Sequence, residues 1–547
     1  MPGEAVVDAK QPSAPPPRGE PALLLLLQTL VCEEHYQAAT GPECKGATFA
    51  RAQVQAAFVH ITLCIGVVAL YPEQILCLLS LFLGRHVFCL LATGFGKTFA
   101  YECLPMLYDY LYNGDHALPT YRRVFCPVLF TINPLCSLMV EQTNAFNTMA
   151  SKAKLVFRAA NLSSEEKDST IFNRVARRDP LIALVHISIE LLVHPKQPYR
   201  GNLAKSAFRS YVLLLQCVLT MRPSGRYRGR VVGIIVEESH VVGAWKHDFR
   251  EEYDQLPQIR SQVPVPWAFF SATQEASATA ELQADLGIRD PVFIKGLFTR
   301  PNIFLDVQFF KPDDILAVTA PLVELLRRDE ESSSKMLIYC TKGLASEVAV
   351  LMGDALGQYD GKTGGHKRVD FFIANSSSER KEALRRDFML ARSKTRCLLA
   401  TNALGMGLNI LALYCVMDLD FVRLLADWCQ EFGRAGRDGR PAHATLFVSS
   451  MRGKGKCLQK FVNAARAGRC LRMVIARHFD PTCLAADIRK VQPGVNDAEK
   501  SHSCCCVCRL RGTMLDPSAE AVCACGATVA TPFCGQCGAK RVNPPDN

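Results

Sequence analysis

The sequence predicts an α/β protein built on parallel sheets, and three observations lead there. Short apolar, β-rich runs alternate with helical stretches from about residue 50 onward. A glycine- and lysine-containing loop follows one of those runs directly. The composition is 49% apolar and 21% charged over 547 residues, which excludes disordered, collagen-like or coiled-coil readings of the whole chain.

Residues 1–21 hold six prolines and few large apolar side chains, so 1–50 is expected to be a disordered or poorly defined tail. The runs Val87–Leu91, Val231–Val236, Trp267–Phe270, Met336–Tyr339, Val369–Phe372, Cys397–Ala400 and Cys415–Asp418 each read as a buried parallel strand. Two longer apolar runs, from Leu23 and across Ala56–Leu70, fall short of the roughly 20 residues that cross a bilayer. They are expected to be buried helices, with no membrane partner. Breaks are expected at Arg327–Lys335 and Gln358–Arg368. At about 150 residues per domain, the length suits three or four domains.

Lys and Arg exceed Asp and Glu by 63 to 52, a net +11 that permits a nucleic-acid partner without requiring one. The 24 cysteines are spread over a long chain in which no segment reads as a secretory signal. They are expected to be thiols and metal ligands, not disulfides.

Ala92–Thr98 (ATGFGKT) leaves the run Val87–Leu91 and precedes a helix-like stretch. Gly94 and Gly96 let the backbone turn N–H groups toward a triphosphate, with Thr93 and Phe95 in the same loop. Lys97 would neutralise the β- and γ-phosphates, and the Thr98 hydroxyl would hold Mg²⁺. Val231–Val236 runs into Glu237-Glu238-Ser239-His240, paired acids of which Glu237 would position Mg²⁺ and Glu238 the attacking water. Ser271-Ala-Thr273 follows another strand. Gln430–Gly439 (QEFGRAGRDG) sets Arg434 and Arg437 three apart in a glycine-rich frame, where they would reach a γ-phosphate.

Assembled in order, these blocks resemble the RecQ family of superfamily-two DNA helicases over roughly residues 70–508. Tyr71-Pro-Glu-Gln74 stands where the family has the glutamine that reads adenine. Asn133–Met139 is similar to a nucleic-acid-facing motif. Glu237–His240 stands where the family has Asp-Glu-Ala-His, and Val241–Arg250 resembles an aromatic-rich loop that couples DNA contact to ATP hydrolysis, with Trp245, His247, Phe249 and Arg250 as its coupling residues. Phe298–Asn302, Ala400–Asn409 and Gln430–Gly439 follow in family order. The departures are Glu237 for Asp, Ile189 for a proline in Ser188-Ile-Glu190, Leu404 and Asn409 for a Phe and an Asp, and Ile373 for a His.

Residues 451–479 carry eight basic side chains and no acid: Arg452, Lys454, Lys456, Lys460, Arg466, Arg469, Arg472 and Arg477. Such a stripe suits phosphate contact; a solvated basic helix is the alternative. Cys470 opens a stretch that resembles the family's helix bearing the first zinc ligand. His502, Cys505 and Cys508 are spaced three apart and would complete a Zn²⁺ site. Cys504 is an alternative to His502, and Cys483 and Cys506 are bystanders. Cys523, Cys525, Cys534 and Cys537 suggest a small zinc ribbon or a redox-active Cys-x-x-Cys. With 39 residues after Cys508, no winged-helix domain is expected within this sequence.

The resemblance therefore implies two RecA-like parallel-sheet lobes, 51–305 and 306–450, a helical zinc-binding subdomain at 451–512, and a cysteine-rich, zinc-ribbon-like tail at 513–547. ATP would bind between the lobes. It implies an ATP-dependent 3′→5′ helicase acting on single-stranded and branched duplex DNA in recombination and repair, in the nucleus or, as the second compartment, the cytoplasm. A DNA-binding protein with weak ATPase, or an RNA helicase, are the alternatives. Protein partners are not indicated.

Overall fold

The structure is a computed structural model that describes residues 51–67, 70–113, 127–162, 182–192, 231–245, 251–296, 298, 300–311, 314–328, 335–357, 368–390, 393–401, 404, 410, 412–484 and 505–507. It divides into two compact units, residues 1–91 with 95–296, and residues 92–94 with 297–547.

The first unit is built on β1 (Val87–Leu90), β2 (Val128–Asn133), β3 (Arg158–Leu162), β4 (Ile182–Ser188), β5 (Val231–Val236), β6 (Trp267–Ser271) and β7 (Val292–Lys295). They form one sheet in the order β3-β4-β2-β5-β6-β1-β7, with every pairing parallel. β1, β2, β4, β5 and β6 are buried along their whole length, which is why they read as continuous apolar runs and not as alternating ones. The helix Pro72–Phe82 starts with proline in its first turn, and the Tyr71 N–H donates to Gln74 Oε1 at 2.9 Å. Its Leu76, Cys77 and Leu79 pack with Val87 and Cys89 of β1 and with Tyr101. Parallel pairing puts the C-terminal ends of all these strands at one edge, where α/β sheets bind ligands.

The second unit is built on β8 (Ile303–Phe309), β9 (Lys335–Tyr339), β10 (Val369–Phe372), β11 (Cys397–Ala400), β12 (Leu413–Leu419) and β13 (Ala442–Val448). Their order is β10-β11-β9-β12-β13-β8, again all parallel. The expected boundary at 305 falls inside β8. Ile303–Phe309 pairs with β13 along its full length, so the chain passes from one unit to the other at 296/297.

The helices Lys456–Arg466 and Leu471–Phe479 belong to the second unit. The first buries Leu458, Phe461, Val462 and Ala465, and the Arg466 guanidinium lies over the Phe309 ring at 4.4 Å. Cys470 is buried at the N-terminus of the second helix, and buried Cys505 makes a parallel bridge to Leu305 on β8. No disulfide joins the described cysteines. Among the described residues, no helix is long and apolar enough to cross a membrane.

Candidate functional site

In the first unit the site grows out of strand ends. The loop after β1 turns through left-handed glycines, with φ of +80° at Gly94 and +78° at Gly96. A Cβ at Gly96 would stand 2.8 Å from the Gln74 amide nitrogen, so both the turn and the close approach require glycine. Gln74 Nε2 donates to the carbonyls of Gly96 (2.9 Å) and Phe95 (3.3 Å), and the Tyr71 and Phe95 rings lie 4.9 Å apart. The structure thus seats Gln74 on the loop backbone. Lys97 Nζ donates to the Leu91 carbonyl at 3.1 Å, crossing the loop. Thr98 precedes the short helix Phe99–Glu102.

The acids sit at the end of β5. The Glu237 N–H donates to the Ile132 carbonyl (3.0 Å) and the Ser239 N–H to the Phe270 carbonyl (2.8 Å), so β2 and β6 fix this turn. Glu238 takes a left-handed φ of +49°, a conformation that costs a non-glycine residue energy and recurs at functional turns. Glu237 is buried, and its Oε1 has no hydrogen-bond partner. Burial, then the Glu238 charge, push its carboxyl up to about 7, while Tyr101 and Lys97 pull the other way. Glu102, buried beside Glu237, is also pushed up, mainly by burial. His240 Nδ1 lies 3.1 Å from Ser271 Oγ and 3.4 Å from Glu238 Oε2, which joins the acid turn to Ser271-Ala-Thr273. Burial lowers the His240 pKa.

In the second unit Gln430 lies on the helix Leu425–Phe432, and Arg434 and Arg437 follow it. Arg434 is buried. A clamp from the start of the unit fixes their backbone. Arg300 donates to the carbonyls of Gly433 (2.8 Å), Ala435 (2.8 Å) and Gly436 (2.9 Å), and Asn302 Nδ2 to those of Gly436 (2.7 Å) and Arg440 (2.8 Å). A Cβ at Gly436 would meet Asn302 Nδ2 at 2.5 Å, and its φ is +54°. Thr93, grouped with this unit, accepts from Arg300 through its carbonyl at 3.1 Å. Arg300 and Asn302 lie in the quoted Phe298–Asn302 block, but nothing local gives them this role; their partners lie over 130 residues further on.

The basic stripe needs correcting. Arg452, Lys456, Lys460, Arg466, Arg469 and Arg477 are exposed, but Lys454 and Arg472 are interior. Lys454 Nζ pairs with Asp420 at 2.8 Å and donates to the Val422 carbonyl. Arg472 donates to the carbonyls of Arg300 (2.8 Å) and Ile303 (2.5 Å). Buried cations that satisfy carbonyls in this way hold structure together and do not meet phosphate. Trp245 ends the helix His240–Trp245. His247, Phe249, Arg250, His502, Cys504, Cys508 and the tail cysteines lie outside the described residues.

Two family models match this chain: DEAD/DEAH box helicase over residues 71–282, and Helicase conserved C-terminal domain over 318–439. In fold, the chain is similar to the solved structure of Mycobacterium smegmatis helicase Lhr bound to ssDNA and AMP-PNP, with a TM-score of 0.52 and 17% identity, covering 77% of this chain and 50% of that one. Both models are of helicase domains, and each unit carries one parallel, RecA-like sheet. The curated relatives narrow the class. The mouse bifunctional 3'-5' exonuclease/ATP-dependent helicase WRN is 28% identical over 51% of this chain, and mouse ATP-dependent DNA helicase Q1 is 24% identical over 72%. These relatives are RecQ-family helicases, and the chain is RecQ-like. It spans 20% of the first relative's length and 55% of the second's.

Proposed function

We propose that this chain is an ATP-dependent DNA helicase that moves 3′→5′ and serves recombination and repair in the nucleus. The supporting observation is the first unit's strand-end edge. There a glycine-turned loop carries Lys97, and a buried Glu237 oxygen has no hydrogen-bond partner although the Lys97 charge acts on it. An unpartnered buried carboxylate oxygen is costly. A cation beside it would remove that cost, so the residues fit Mg²⁺ with a triphosphate. Thr98 and Glu237 would hold the metal, which supplies charge neutralisation on the phosphates. Lys97 holds phosphate oxygens, Glu238 orients the attacking water, and Gln74 serves the base. Arg434 and Arg437 act on the transferring phosphoryl group, with Gln430 beside them, and the six exposed cations of 452–477 contact DNA phosphates.

Phosphate release with ATP alone, with single-stranded DNA and with RNA tests the reading. Strong stimulation by DNA supports it, and stimulation by RNA alone overturns it. Weak, unstimulated turnover would leave only a DNA-binding role.

A zinc site formed by Cys470 and Cys505, both buried, with His502 and Cys508 belongs to the same reading. In small modules, zinc ligation contributes folding free energy directly. Cys505→Ser should therefore lose bound zinc and destabilise the region after residue 450. Metal analysis that finds zinc retained would exclude Cys505 as a ligand.

A further inference from the structure

Beside the arginine segment, two carboxyl groups meet in the interior of the second unit. Asp418, at the end of β12, is fully buried, and Glu431, on the helix Leu425–Phe432, is buried as well. Both Asp418 oxygens already accept backbone N–H groups, Oδ1 from Phe421 (2.9 Å) and Oδ2 from Val422 (3.0 Å). Glu431 Oε2 receives no hydrogen bond, and its helix packs against β12, with the Asp418 carboxyl among the groups that act on it. Two acceptors cannot face each other in a dry interior without a hydrogen between them.

The other charged and titratable groups around the pair do not supply it. Facing Asp418 are Lys454, Asp420 and the Cys340 thiol. Lys454 is taken up by Asp420 and the Val422 carbonyl, and the Asp420 carboxylate accepts a hydrogen bond from Ser449. Facing Glu431 are Asp427, a further acid, and Arg434; the Tyr339 hydroxyl lies next to Arg434. Three acids, Asp418, Asp420 and Asp427, thus join Glu431 against two cations.

We propose that Asp418 and Glu431 share one proton and that this proton positions the segment from Gln430 to Arg437. The Asp418 carboxylate is held by its backbone donors, so Glu431 carries the hydrogen and donates it to Asp418. While the proton stays, helix and strand end are tied together and Arg434 keeps its place beside Tyr339. When it leaves, two carboxylates confront each other and push the helix off. Glu431 is a positioning residue, and the effect on turnover rests on the ATPase reading above.

Burial raises the pKa of both carboxyls, and a coupled pair loses its last proton at a value that belongs to the pair. An acid whose folded pKa is raised contributes stability that is complete in acid and is lost as pH rises through the folded value. In the full chain, kcat for DNA-stimulated ATP hydrolysis should fall about tenfold between about pH 6 and about pH 9, with a smaller change in KM for ATP. Glu431→Gln, whose amide donates permanently, should flatten that fall. Asp418→Asn, which supplies the donor from the other side, serves if the first variant does not fold.

Thermal melting over the same range is the second readout. The wild type should lose Tm toward alkaline pH and the amide variant should lose less. If no variant hydrolyses ATP at any pH while the melting difference stands, the ATPase reading fails and the shared proton survives. If wild type and amide variant superimpose in both readouts, the proposal is overturned.

Discussion

The two candidate sites are held in different ways. In the first unit, chain order does most of the work. The loop after β1, the acid turn after β5 and Ser271 at the end of β6 arrive at one edge because their strands are parallel neighbours. In the second unit, the arginine segment is pinned from a distance by Arg300 and Asn302. The buried ionisable groups differ too. The first unit keeps a neutral imidazole between β2 and β4, with Thr131 Oγ1 at 2.5 Å and Asn133 Nδ2 at 3.2 Å from His186 Nδ1. Burial pushes His186 down to about 3, whereas burial pushes Asp418 up to about 7. A site laid out by local chain order can lose a side chain and keep its shape. One laid out by distant clamps cannot.

Lys97→Ala should show the first half of that contrast most strongly. ATP hydrolysis should fall by at least about 10³-fold, while Tm and DNA affinity change little, because the Lys97 hydrogen bond to the Leu91 carbonyl stays within its own loop. Retained turnover, or a large loss of Tm, would break the contrast.

Arg300→Ala should behave oppositely. It strips donors from four carbonyls, those of Thr93, Gly433, Ala435 and Gly436, and each buried group left unpaired costs about 1–3 kcal/mol. Tm should drop along with an activity loss on the order of 10²-fold, since small misplacements near the chemistry cost that much.

Hydrogen exchange as a function of pH should separate the units more gently. His186 has a lowered folded pKa, so its contribution is present above the unfolded value of about 6.5 and declines as pH falls, by up to about 1.4 kcal/mol per pH unit. The β2–β4 region should therefore loosen in acid, whereas the β12 region should loosen as pH rises through about 7. Loosening of both on the same side would remove this part of the comparison.

Glu237→Asp carries the smallest expected effect. Glu is one methylene longer than the Asp of related helicases, and its carboxyl lies among Tyr101, Glu102 and Glu238. Shortening it should raise kcat several-fold, well within the 10²-fold scale of a misplaced group, with little change in KM. An unchanged or lower kcat would mean that the site has adapted to Glu.

How much was legible follows the same division. All seven apolar runs picked from the sequence are strands, because a strand buried on both faces leaves an unbroken apolar signature. β2 and β4 escaped that reading. Thr131 and His186 interrupt their runs and become acceptable only once paired with each other. β8 and β13 were also missed; β8 carries Asp306 and Gln308, β13 His443 and Thr445, in otherwise apolar runs. The Gly-x-Gly-Lys-Thr loop and the acid turn were readable because their chemistry lies in consecutive residues. The Arg300 clamp, the Asp418–Glu431 pair and the interior positions of Lys454 and Arg472 were not, since each is defined by a partner that only the folded sheet brings near.

The most direct test of the central claim is strand displacement on duplexes that carry a single-stranded tail on either the 3′ or the 5′ side, with the full chain, ATP and Mg²⁺. Unwinding of the 3′-tailed duplex that requires ATP and disappears in Lys97→Ala is the predicted result. Unwinding only from a 5′ tail, or displacement that persists without ATP or in Lys97→Ala, would contradict the account.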